Sequence, residues 1–139
     1  MRRVQDKTRF RVAAGVVVTG AIAWLAYSLH APQARTVSFE VSCASGQPVE
    51  GVWVAASVST PGWAIAATGQ TGRSQATYSY LLALGGTYQV RVGCGGTTKV
   101  WAHQDVSEFI SYSGGSFSCR DSPDSHQNGT CVPLGSGSG

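Results

Sequence analysis

Residues 12–29, VAAGVVVTGAIAWLAYSL, form a run of 18 residues without a charge. As a helix this run spans about 27 Å, close to the hydrocarbon thickness of a bilayer. Arg2, Arg3, Lys7, Arg9 and Arg11 precede it, against Asp6 alone. Basic flanks stay on the cytoplasmic side, so the pattern predicts a cytoplasmic tail over 1–11, one transmembrane span over 12–29 and an extracytoplasmic remainder. Trp24 and Tyr27 fall toward the outer end, and Pro32 stops the helix. A cleaved signal peptide has the same charge order. Against cleavage, the run exceeds the usual apolar region of about 7–15 residues, and Leu29 and Pro32 occupy the positions where a small residue is needed before Ala31 or Ala34. An uncleaved single-pass signal anchor in the cell membrane is therefore expected, with the lipid bilayer as its first partner. Gly15, Thr19 and Ala23 recur every four residues on one face of that helix. Small residues at this spacing let transmembrane helices approach closely, which makes the stripe a candidate helix-packing face.

With 139 residues in all, a linker over 30–35 leaves residues 36–134 for one modest exported domain. Residues 35–134 hold Arg35, Arg73, Arg91, Lys99 and Arg120 against Glu40, Glu50, Asp105, Glu108, Asp121 and Asp124. The net charge of +3 thus comes from the tail, and no nucleic-acid partner is implied. Within this domain apolar and polar residues alternate. Val37, Phe39, Val41 and Cys43 mark one strand; Val52, Val54, Ala56 and Val58 a second. A short strand covers 63–68. Tyr78, Tyr80 and Leu82 share a face of 74–84, Tyr88, Val90 and Val92 a face of 87–93, and shorter strands are expected over 97–103 and 109–112. Glycine turns separate them at intervals of about ten residues, the signature of an all-β antiparallel sandwich of about seven strands. The final GSGSG, residues 135–139, reads as flexible linker or tag.

Three stretches carry a family resemblance. Residues 45–54 (SGQPVEGVWV), 68–73 (TGQTGR) and 84–92 (LGGTYQVRV) match, in order and spacing, the opening turn, the middle turn and the later strand of carboxypeptidase-regulatory-like, or prealbumin-like, domains. Gly69 stands where that family favours Asp, and Gly85 where it favours Pro. The resemblance implies an Ig-like sandwich that serves as an accessory, adhesive or assembly module, with no catalytic residues to carry over.

Four cysteines in an exported domain imply two disulfides. Cys43 and Cys94 end two core strands, while Cys119 and Cys131 flank the polar loop RDSPDSHQNGT; these two pairs are the favoured connectivity. No C-x-x-C or H-x₃-H spacing points to a metal, and no cofactor is expected. His103, Asp105 and Glu108 read as a solvated strand end, and Asp121, Asp124 and His126 as a polar loop, although each trio offers metal-ligand side chains. Ser74 sits in the nearest approach to a nucleophile elbow but lacks the closing glycine. Asn128-Gly129-Thr130 is an N-glycosylation sequon. Trp53, Trp63 and Trp101 remain as candidate binding residues, because a large flat side chain off the valine stripe anchors a protein interface or stacks on a sugar ring. The expected function is that of a non-catalytic interaction or assembly subunit with a protein partner in the membrane or cell envelope; a module binding envelope glycan or a small ligand is the alternative. The Ala, Gly, Ser, Thr and Val bias suggests a bacterial source.

Overall fold

The computed structural model of the chain describes residues 33–111 and 114–135. The predicted membrane span, its orientation and the stripe of Gly15, Thr19 and Ala23 lie outside these residues. Among the described residues no helix is long and apolar enough to cross a membrane.

The described residues are all-β. Nine strands follow in order: β1 Arg35–Cys43, β2 Val49–Ala56, β3 Gly62–Trp63, β4 Ile65–Ala66, β5 Gln75–Leu82, β6 Tyr88–Gly96, β7 Trp101–Ser107, β8 Ser116–Arg120 and β9 Gly129–Leu134. They make one mixed sheet in the order β3-β2-β6-β7-β9-β8-β1-β5-β4. The two outermost strands, β3 and β4, are consecutive in the chain and separated by Ala64 alone. β3 pairs with β2 and β4 with β5. The Ala64 N–H donates to the Val52 carbonyl at 2.9 Å, and the Ala67 N–H to the Thr77 carbonyl at 2.8 Å. This short stitch draws the sheet's two ends together, so the sheet is nearly closed as a barrel. Closure leaves few unpaired backbone groups along an edge.

The period-two pattern decides which side faces in. Val37, Phe39 and Val41 from β1, Val52 and Val54 from β2, Ala76, Tyr78 and Leu82 from β5, and Tyr88, Val90 and Val92 from β6 are all buried. Val49 joins them despite its odd spacing from Val52, because the β2–β6 register slips between Val49 and Gly51. Such a bulge moves a side chain to the other face. Phe39 stacks on Tyr88 at 5.9 Å and meets Phe117 edge-on at 6.0 Å. Both disulfides are formed, Cys43–Cys94 and Cys119–Cys131. The first joins β1 to β6, which are not neighbours in the sheet, so it crosses the interior. The second links directly opposed residues of β8 and β9.

The structure departs from the sequence expectation in several places: the antiparallel sandwich is instead one mixed sheet, and Val58, expected on the inward face of the second strand, lies beyond the end of β2 and is exposed. The strand expected over 97–103 lies at 101–107, because Gly95 and Gly96 take positive φ and the Thr97 N–H closes a turn on the Val100 carbonyl. Of the strand expected over 109–112, which runs past the described residues at Tyr112, the described part holds a single bridge between Ile110 and Tyr88. The polar stretch after it supplies β8 and β9, and the strand expected over 63–68 splits at Ala64 into β3 and β4, so the count is nine rather than about seven. These two strands enter through parallel pairings, β1 with β8 and β7 with β9. They connect what would otherwise be two separate layers.

In the chain-entropy model, opening Cys43–Cys94, which closes a loop of 51 residues, removes about 4 kcal/mol of stability, and Cys119–Cys131 about 3 kcal/mol. Phe117→Ala is expected to cost about 3–5 kcal/mol although it lies in a mostly polar strand. Urea unfolding of the oxidised chain and of these variants, followed by tryptophan fluorescence, measures all three.

Candidate functional site

The outer face of β3, β2 and β6 carries a tryptophan cluster. On β2 the alternation that buries Val52 and Val54 sends Trp53 outward, and the β2–β3 register sets Trp63 directly opposite it. Their rings meet edge to face at 5.2 Å. Trp63 meets Trp101, at the start of β7, in the same way at 5.6 Å. Edge-to-face pairs place the positive rim of one ring on the negative face of the next, contributing about 0.5–1.5 kcal/mol each beyond area burial.

Two glycines make the room. Gly51 and Gly93 are register partners on β2 and β6. A Cβ on Gly93 would collide with the Trp101 indole, so that ring lies directly on the β6 backbone. A Cβ on Gly51 would sit 3.3 Å from both Trp101 and Trp63. The sequence singled out all three tryptophans by residue type. That they touch follows from register, and the glycine bed beneath them was not recognised. The usable signal was glycine inside strands rather than at their turns.

Trp63 is 57% exposed and stands between two clefts. One, of about 370 Å³, is lined by Trp63, Thr98, Lys99, Trp101 and Gln104. The other, of about 430 Å³, is lined by Trp63, Ile65 and Leu81 with Thr36, Ser79 and Tyr80. Ile65 and Leu81 are also exposed, so an apolar strip runs from Trp101 across the stitch to β5. Arg91 lies opposite Trp53 in register and is exposed.

The acidic candidates separate differently from the way the sequence groups them. Glu108, Asp124 and His126 are exposed and His103 is half-buried, but Asp105 is fully buried. The expectation of a solvated strand end therefore fails at Asp105, because β7 continues to Ser107 and turns this side chain inward beside Val92. Asp121, from the other trio, lies with Asp105 and the Cys94 sulfur in one group whose atoms are within 4.8 Å of each other. Cys94 is bonded to Cys43, so no thiolate is present there. Burial first, and then the Asp121 carboxylate, push the Asp105 carboxyl up from 3.8 to about 6. A polar cleft of about 500 Å³ is lined by Glu40, Gln70, Arg73, Ser74 and Gln75, so Ser74 has no histidine beside it there.

Comparison of the chain with protein families, curated proteins and solved structures found no match.

Gly93→Val is expected to lift Trp101 off β6 and break its contact with Trp63, at a cost of about 1–3 kcal/mol. Near-ultraviolet circular dichroism should lose tryptophan intensity while the far-ultraviolet strand signal remains.

Proposed function

We propose that this chain is a membrane-anchored extracytoplasmic β-domain acting as a non-catalytic interaction or assembly subunit of a membrane or cell-surface complex, with the tryptophan cluster as its contact surface. The observation that carries this reading is the exposed strip from Trp101 through Trp63 to Ile65 and Leu81. Contiguous apolar surface flanked by polar residues is typical of protein interfaces, and Trp and Arg dominate their binding energy. The strip lies on paired strands closed by the stitch, so its side chains are held with little entropy left to lose on docking. The uncharged run over 12–29 behind five basic residues supports anchoring. The stripe of Gly15, Thr19 and Ala23 supports a second contact with a partner inside the bilayer. The resemblance of residues 45–92 to prealbumin-like domains fits an accessory role.

A second reading follows from the cleft beside Trp101. Thr98, Lys99 and Gln104 place hydrogen-bonding groups next to two indoles, a combination suited to a sugar ring of an envelope glycan. The mutually perpendicular rings favour the protein partner, since they do not make a continuous flat platform for a glycan chain.

Photo-crosslinking in cells distinguishes the two. A benzophenone amino acid replaces Trp63, Ile65 or, as a control, the exposed Val132 on β9 of the full-length chain. The expected result is one protein species captured from positions 63 and 65 and not from 132. Trp63→Ala should weaken its association about 30-fold, for a hot-spot loss of about 2 kcal/mol. Equal capture from all three positions, or none, overturns the protein reading. Saturable quenching of tryptophan fluorescence by soluble envelope glycan, abolished in Gln104→Ala, would put the second reading in its place.

A further inference from the structure

The inward face of β7 is polar: His103, Asp105 and Ser107 alternate along it. Ser107 is satisfied, since its hydroxyl accepts the Val90 N–H at 3.0 Å and donates to the Glu108 carbonyl at 2.8 Å. Asp105 is placed differently. Both its carboxyl oxygens are buried without a hydrogen-bond donor, and so is Oδ1 of Asp121. On the β9 side its register partner is Gly129, where a Cβ would collide with Asp105 Oδ1 and with the Arg120 carbonyl. Oxygen therefore faces oxygen: the Asp105 carboxyl, the Asp121 carboxyl and the Arg120 main-chain carbonyl. The other groups around Asp105 are His103 two residues along β7, the Cys94 sulfur from β6, which is held in a disulfide, and Gly129. The Arg120 residue is exposed.

The ionised form of Asp105 is disfavoured here, because its carboxyl is fully buried and its neighbour is a second carboxylate, that of half-buried Asp121. One proton between them removes a charge and supplies the missing donor.

We propose that Asp105 and Asp121 form a proton-sharing carboxyl pair that latches the 121–128 loop to β7, and that ionisation of the pair releases this loop. Asp121 is the first residue of the loop, which leaves β8 after Arg120 and rejoins the sheet at Gly129. The Cys119–Cys131 disulfide closes its base, so movement is confined beyond that bond. At its far end the loop touches β7 again, where Gln104 Nε2 donates to Asn128 Oδ1 at 3.4 Å across an exposed surface. Inside the loop, the His126 N–H donates to Asp124 Oδ1 and the Gln127 N–H to the Asp124 carbonyl, so it has a local shape of its own. Gln104 also lines the cleft beside Trp63 and Trp101, so release reaches that surface. The effect on binding rests on the proposed function; the latch does not.

The sign of the pH dependence follows from linkage. The folded chain keeps the Asp105 proton up to about pH 6, whereas the unfolded chain loses it near 3.8. Between these values the folded state binds more protons, so stability is greatest below this window and falls as pH rises through it. The full-length, disulfide-intact chain in mild detergent is unfolded with urea from pH 4 to 8, and hydrogen exchange of residues 121–128 is followed over the same range. The wild-type unfolding constant is expected to rise about 100-fold across the window, two pKa units at tenfold each. Asp105→Asn should remove that slope, unfold less readily than wild type at pH 7.5 and keep the loop protected at that pH. Asp124→Asn should keep the wild-type profile. Should Asp105→Asn fail to fold, Asp121→Asn serves instead; its amide donates to Asp105, so the slope should become shallower and move to lower pH. A wild-type slope in Asp105→Asn, or lower stability than wild type at pH 7.5, overturns the latch. Stabilisation of the wild type by Ca²⁺ at pH 7.5, reversed by chelation and absent in Asp105→Asn, also overturns it, because the pair would then hold a cation rather than a proton.

Discussion

The Cys43–Cys94 bond spans the interior of a curled sheet, between two strands that have β7, β9 and β8 between them along the hydrogen-bonded order. It ties β1 and β6 across the core that their valines and aromatics share with β2 and β5. In a domain this small the interior is modest, and a cross-core link restricts the unfolded chain where packing alone supplies little margin. β6 is the strand on which the rest converges. Its inward residues Tyr88, Val90, Val92 and Cys94 make core and staple. Gly93, pointing the other way, is the bed of Trp101. One period-two strand therefore holds the fold together on one face and shapes the candidate contact surface on the other.

The sheet's closure has two unlike parts. On one side, the stitch from Gly62 to Ala67 binds β2 and β5 with short strands and leaves Trp63 standing out between them. On the other side, β8 and β9 enter by parallel pairing and bring little apolar surface. Phe117 and the Cys119–Cys131 bond are their main contribution to the interior. Asp105 and Asp121 meet where this second part joins β7. The polar strands thus join the sheet at a place where a titratable contact is closed over by a disulfide-bounded loop, while the apolar strands carry the tryptophans.

How much of this was legible in the sequence depends on whether the signal is local. β1, β2, β5 and β6 announce themselves by alternating Val, Phe, Tyr and Leu between glycine turns, and most of their inward residues lie where the alternation puts them; Val58, beyond the end of β2, does not. β7 was placed too early and β8 and β9 were missed, because their inward positions hold His103, Asp105, Ser107 and the cysteines, with Phe117 as the one large apolar side chain. A scan for apolar periodicity reads such residues as solvated loop. The bulge between Val49 and Gly51 and the turn at Gly95–Gly96 each shifted a boundary or a face that a strict period of two places differently.

The candidate site divides along the same line. Trp53, Trp63 and Trp101 were recognisable as unusual side chains off the valine stripes, since that is a property of each residue and its immediate neighbours. Their edge-to-face contact was not, and neither was the meeting of Asp105 with Asp121, each of which the sequence placed in a different cluster. The sequence by itself determined the β class, the inward faces of four strands and a chemistry suited to two disulfides, because alternation and composition act over a few residues. Only the tertiary structure decided that three tryptophans meet in one cluster, two of them over a glycine bed, and that the Asp121 carboxyl lies beside the buried Asp105. Those contacts depend on strand register and on parallel pairings between distant segments, which the closing of the whole sheet sets and no short stretch encodes.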